Sequence, residues 1–138
     1  MSDELHKRLS AVRGEIDAID NQLLDLLNQR ARCAQRVGEI KAGHGEGGSV
    51  YRPERESQVL RRIQERNPGP LSSDSVTWFF REVMSACLSL EHPLGVAFLG
   101  PLGTFSESAA VKHFGHAAQL SPQVSIDDVF REVEARHA

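Results

Sequence analysis

The residues of this 138-residue chain best placed to do chemistry are an arginine that interrupts an apolar pattern and a lysine eleven residues further on. Leu5, Leu9, Val12, Ile16, Ile19, Leu23 and Leu26 step by four and three, which lays one stripe along a helix. The next position of that stripe is Arg30, after which Cys33, Val37 and Ile40 resume it. Lys41 follows Arg30 at a helical rotation of about 1100°, only ~20° from the same direction. Ala34, Val37 and Gly38 stand between them. Two long cationic side chains with Cα atoms ~16 Å apart can close around a small dianion. Arg13 lies ~25 Å from Arg30 along the same rod and cannot share that ligand. It could reach a ligand held by a second copy whose long helix packs antiparallel.

Other ionisable groups join them. Arg55 and Glu56 open a second helical segment, and Cys87 and Glu91 stand four apart on one face of a third. Each has an ordinary explanation when taken alone. An arginine on a stripe can snorkel at a rim; Arg55 and Glu56 can be a solvated first turn, and Lys41 a cation suited to a helix C-terminus. Cys87 can be a small core residue, and Glu91 a surface carboxylate. If they face an interior together, each is costly unless paired.

The elements that must position these groups follow from the punctuation of the chain. From Ser2 to Lys41 there is no proline, so one helix of ~60 Å is expected. Such a helix in so short a chain needs a partner helix to cover its stripe. "GHGEGG" at 43–48 ends it, and "YRPERESQVLRRIQERN" resumes helical character with Pro53 in the first turn. "PGP" at 68–70 breaks the chain again. "SSDSVTWFFREVMSACLSLEH" then forms a third helix with a serine or aspartate cap, stopped by Pro93. Beyond it, "LGVAFLG" reads as a buried strand, "PLGTFSES" as a turn into the helix "SAAVKHF", "QVS" as a short strand and "IDDVFREVEA" as a helix. That βαβα order begins a parallel α/β domain but is too short to complete one. Residues 1–92 are therefore expected to be a helical domain and 93–138 the start of an α/β domain.

Bulk properties narrow the class. A net charge of −3 gives no general attraction to nucleic acid or anionic membrane. No apolar run approaches the ~18 residues of a membrane span, and "MSDELHKRLS" lacks a signal core. Two cysteines, Cys33 and Cys87, both in helical segments, suit reduced thiols in the cytoplasm. Neither a nucleic-acid nor a membrane partner is expected.

Taken together, "LSAVRGEIDAIDNQLLDLLNQRARCAQRVGEIK" and the later "YRPERE" resemble the all-helical type of chorismate mutase over residues 5–92. "GVAFLGPLGTFSESAAVKHFG" resembles the first strand and loop of prephenate dehydratase. The succession is similar to that of the bifunctional chorismate mutase–prephenate dehydratases of phenylalanine biosynthesis. The resemblance implies an all-α, three-helix fold forming an intertwined dimer, followed by an incomplete α/β segment. It implies conversion of chorismate to prephenate by a unimolecular [3,3] shift, with no metal or organic cofactor. It also implies roles: Arg30, with Arg13 from the partner chain, grips the side-chain carboxylate. Arg55 grips the ring carboxylate, Lys41 donates to the ether oxygen, and Glu56 accepts the ring hydroxyl. Cys87 and Glu91 complete the substrate site, with Lys41, Glu91 and Arg30 carrying catalysis. Positioning and preorganised donors are the levers such a reaction offers.

The sequence departs from the family pattern at several places. Cys87 stands where some relatives have serine, Glu91 where some have glutamine, and Arg52 where a related enzyme has aspartate. Glu91 must be protonated to assist beside a developing oxyanion. In the second segment Leu102 replaces a glutamate, while Thr104 and Ser106 resemble residues lining the dehydratase cleft. The dehydratase Thr-Arg-Phe motif and the phenylalanine-sensing domain are absent, so dehydratase activity is not expected of this polypeptide. Two other readings stay open at this stage: a non-catalytic helical dimerisation rod, and a regulator that binds chorismate or an aromatic amino acid without converting it.

Overall fold

The computed structural model describes residues 2–44, 52–91 and 95–138. The first helix, α1, spans Asp3–Gly43. Ser2 caps it by accepting a hydrogen bond from the Leu5 N–H at 3.2 Å, and Asp3 and Glu4 in the first turn and Lys41 in the last suit its dipole. The rest of the glycine stretch, Tyr51, His92 and Pro93 lie outside the described residues. Helix α2, Pro53–Arg66, has its proline in the first turn. Helix α3, Ser73–Glu91, starts where the Ser72 hydroxyl accepts from the Ser75 N–H at 3.1 Å.

Three helices therefore form as the apolar spacing predicts, and α3 packs against both α1 and α2. The helical core is small: its buried apolar residues are Val59 and Leu60 of α2 and Val76 and Cys87 of α3. Helix α1 contributes no buried residue. Its stripe from Leu5 to Leu26 is open to solvent, with Ile19 55% exposed and Leu26 59% exposed. Only the C-terminal half of α1 touches the site described below. Gly38 permits that approach, because a Cβ there would lie 3.0 Å from the Glu91 Cα. Among the described residues no helix is long and apolar enough to cross a membrane.

The second segment adds β1 (Gly95–Leu99), α4 (Phe105–Phe114), β2 (Gln119–Gln123) and α5 (Ile126–Glu134). The two strands pair in parallel, from Gly95 opposite Gln119 to Leu99 opposite Gln123. The β2 strand lies earlier than "QVS" suggests. Pro122, opposite Phe98, disguises it, since a proline argues against a central strand but is tolerated where a strand is paired on one side only. Helix α4 begins at Phe105, three residues before the expected serine, with Thr104 in its capping position. Phe105, at the start of α4, and Val124, just after β2, are each 95% exposed.

This segment rests on α3 through one close contact. Gly115 adopts φ 77° and ψ 177°, a region essentially restricted to glycine, and a Cβ there would lie 2.4 Å from Ser85 Cβ. Beside it the His116 N–H donates to Glu82 Oε2 at 3.3 Å, and His116 Nδ1 lies 2.9 Å from Glu82 Oε1. Gly115→Ala should therefore cost on the order of 2 kcal/mol or more, read as a fall of several degrees in the thermal midpoint. An unchanged midpoint would contradict this contact.

Candidate active site

The site is an open cavity of about 390 Å³ lined by all three helices of the first segment. Arg30, Cys33, Ala34, Val37 and Lys41 line it from α1. Arg52, Arg55, Glu56 and Val59 come from the start of α2, and Met84, Cys87, Leu88 and Glu91 from α3. The volume suits a small organic molecule.

The local folding rules explain why these side chains converge. Arg30, Ala34, Val37 and Lys41 lie at three- and four-residue steps, so one face of α1 carries them. Pro53 starts α2 so that Arg52 and Arg55 stand at its positive end. Arg52 makes no side-chain capping hydrogen bond and is available to the cavity. On α3, Met84, Cys87, Leu88 and Glu91 follow the same stepping and form the opposite wall.

Electrostatics give the cavity its character. Four cations, Arg30, Lys41, Arg52 and Arg55, face two carboxylates, Glu56 and Glu91. Lys41 Nζ lies 3.9 Å from Glu91 Oε1, with both side chains less than a fifth exposed. That distance is too long for a hydrogen bond, so the pair is held by charge alone. Burial raises the Glu91 pKa above the ordinary glutamate value, while the charges of Lys41 and Arg30 act in the opposite direction without cancelling it. Glu56 has a charge partner outside the cavity, its Oε1 lying 3.8 Å from Arg81 Nη1 on α3, likewise beyond hydrogen-bond range. A surplus of positive charge in a partly desolvated pocket favours a small dianion over any neutral or cationic ligand.

Of the residues singled out in the sequence, Arg30, Lys41, Arg55, Glu56, Cys87 and Glu91 all line this one cavity. Arg13 does not; it is exposed on the bare part of α1. Gly38, expected on the cavity face, instead packs on the Glu91 backbone, where it sets the spacing between the two helices.

Comparison with known proteins completes the assignment. Residues 12–92 match chorismate mutase type II, and residues 96–138 match prephenate dehydratase. The chain belongs to the type II chorismate mutase family. It is 53% identical to a bifunctional chorismate mutase/prephenate dehydratase of Neisseria gonorrhoeae over 138 residues, the whole of this chain and 37% of that protein. A second bifunctional relative, from Pseudomonas aeruginosa, is 53% identical over 131 residues, 93% of this chain and 36% of that protein. The chain thus spans little more than a third of the length of these relatives. Among solved structures, a chorismate mutase (form II) of Thermus thermophilus superposes with a TM-score of 0.58 at 33% identity. The superposition covers 61% of this chain and 93% of that one.

In this chorismate mutase family member, three features of the site escape a reading of the helical stripe. Arg52 stands out in the sequence only as a departure from a relative, yet it lines the cavity beside Arg55. The apolar walls formed by Val59, Met84 and Leu88 are indistinguishable in sequence from ordinary core positions. Arg81 carries no signal at all, because its partner lies on another helix. The second segment has its own unsatisfied group: the Thr104 hydroxyl oxygen is buried without a hydrogen-bond partner. The cavity's charge balance is directly measurable. Carboxyl titration by NMR should place Glu91 above the ordinary glutamate range, and Lys41→Met should raise it further by removing an opposing charge. A fall on removing Lys41 would refute the assignment.

Proposed function

We propose that residues 1–92 form a chorismate mutase domain and residues 93–138 the opening of a prephenate dehydratase-like domain. The activity is conversion of chorismate to prephenate, within phenylalanine biosynthesis. The observation that carries the reading is the single cavity in which four cations outnumber two carboxylates. A flexible dicarboxylate supplies the missing negative charge, and being held at both ends brings its reacting carbons together.

Each side chain has a part suited to its chemistry. Arg30 and Arg55 bind the side-chain and ring carboxylates, for which planar guanidinium forks are well matched. Lys41 presents a compact charge to the ether oxygen, where negative charge grows as the C–O bond breaks. Glu91, whose pKa is raised by its desolvated setting, donates to the same oxygen when it carries its proton. Glu56 accepts the ring hydroxyl, and Cys87 packs beside the reacting atoms. The breaking C–O bond and forming C–C bond balance within one molecule, so neither nucleophile nor cofactor enters.

The exposed stripe of α1 accounts for quaternary structure in the same reading. Two antiparallel α1 helices bury their stripes against each other, and each delivers Arg13 to the other's cavity as a second ligand for the side-chain carboxylate. A homodimer is therefore the functional unit. The free thiols of Cys33 and Cys87 suit a reducing cytoplasm.

Following the loss of chorismate absorbance with purified protein tests the activity. Lys41→Ala should lower kcat by two to three decades, or about 3 kcal/mol, with the helical content unchanged. A dimerisation rod would show no turnover to lose, and a binding-only regulator would hold chorismate without consuming it. The pH dependence gives an independent check. Activity needs protonated Glu91, so it should be full below the raised Glu91 pKa and decline as pH rises through it. Glu91→Gln should flatten that decline; a profile that keeps its shape would remove Glu91 from the mechanism.

A further inference from the structure

We propose that Arg81 is a positioning residue for Glu56, holding its carboxylate in the orientation that accepts the substrate's ring hydroxyl. The inference rests on the mutase reading of the cavity and adds to it a residue that does not itself line the cavity. Arg81 Nη1 lies 3.8 Å from Glu56 Oε1, with the two side chains 30% and 20% exposed. Glu56 lines the cavity and Arg81 does not, so the guanidinium acts on the carboxylate from outside the ligand space.

Arg81 is well placed for this because its own turn of helix is fixed on two sides. Toward α2, the Gln64 side chain donates to the Thr77 hydroxyl at 2.7 Å, one helical turn before Arg81. Gln64 lies two turns after Glu56, so the two contacts pin α2 and α3 in antiparallel register. Toward the second segment, the Arg81 carbonyl lies 3.6 Å from the position a Cβ on Gly115 would take. The neighbouring Glu82 receives both the backbone N–H and the ring of His116. The α/β segment thus rests on the same turn of α3 that anchors Glu56.

The chemistry explains why an anchor is needed. A glutamate in the first turn of α2 has three side-chain torsions to fix, and its cavity neighbours Arg52 and Arg55 compete for the carboxylate. A charge partner on α3 draws Oε1 away from the carboxylate-binding arginines and leaves the other oxygen for the hydroxyl. The arrangement keeps Arg55 free for substrate.

The test is a double-mutant cycle in the dimeric protein, following chorismate loss. Arg81→Gln should lower kcat/KM about fivefold or more, with the thermal midpoint shifted by no more than about 2 °C. Arg81→Lys, which keeps the charge, should recover most of that loss. In a Glu56→Gln background, Arg81→Gln should have no further effect, because the carboxylate it positions is gone. Arg81→Gln with unchanged kcat/KM, or losses that multiply fully in the double variant, would overturn the proposal. Should Arg81→Gln unfold the protein, the cycle with Arg81→Met, which removes the same charge and keeps the apolar stem, decides by the same criterion. Absence of turnover in the unsubstituted protein would instead overturn the mutase reading, and this proposal with it.

Discussion

The structure depends on a charge imbalance held inside a small helical bundle. Four cations share one cavity with two carboxylates, and gathering like charges in a partly desolvated setting is costly. Such an arrangement makes little sense as a stability device, since a leucine at position 30 would continue the apolar stripe. It makes sense as a standing preference for a dianion. Glu91 reflects the same tension: two nearby cations favour its ionised form, yet burial outweighs them.

The tight approach of α1 to α3 sustains this imbalance. Gly38 lets the two backbones meet at the Glu91 Cα, and one turn of helix separates that contact from Lys41. The same chain leaves its longest element half bare. Helix α1 contributes charged groups to the cavity at its C-terminal end and offers solvent an apolar face at its N-terminal end. In the proposed dimer, one antiparallel partner helix would cover this bare stripe and bring its Arg13 to the cavity.

Much of this is legible in the sequence because the helices are long and strongly periodic. The interruption of the α1 stripe at Arg30 names the cavity face, and the punctuation at 43–48 and 68–70 separates the helices. What stays hidden is what depends on contacts between elements. Arg81 meets Glu56 across two helices, and no spacing within α3 announces it. Gly38 looks like cavity lining because periodicity gives a direction, not the distance to the next helix. Pro122 obscures β2, since a local rule about proline cannot anticipate that a strand will be paired on one side only. Positions such as Val59 and Cys87 read as core, and they are both core and cavity wall.

Subunit mixing reads out whether two chains build one site. Arg13→Ala and Arg30→Ala chains, each expected to be nearly inactive alone, are combined by joint refolding and assayed for chorismate loss. If Arg13 serves the partner's cavity, each dimer with one chain of either kind carries one intact site. Random pairing makes about half of the dimers of that kind, so about a quarter of unsubstituted activity should return. Folded, dimeric mixtures that stay as inactive as the separate variants would rule out a shared site.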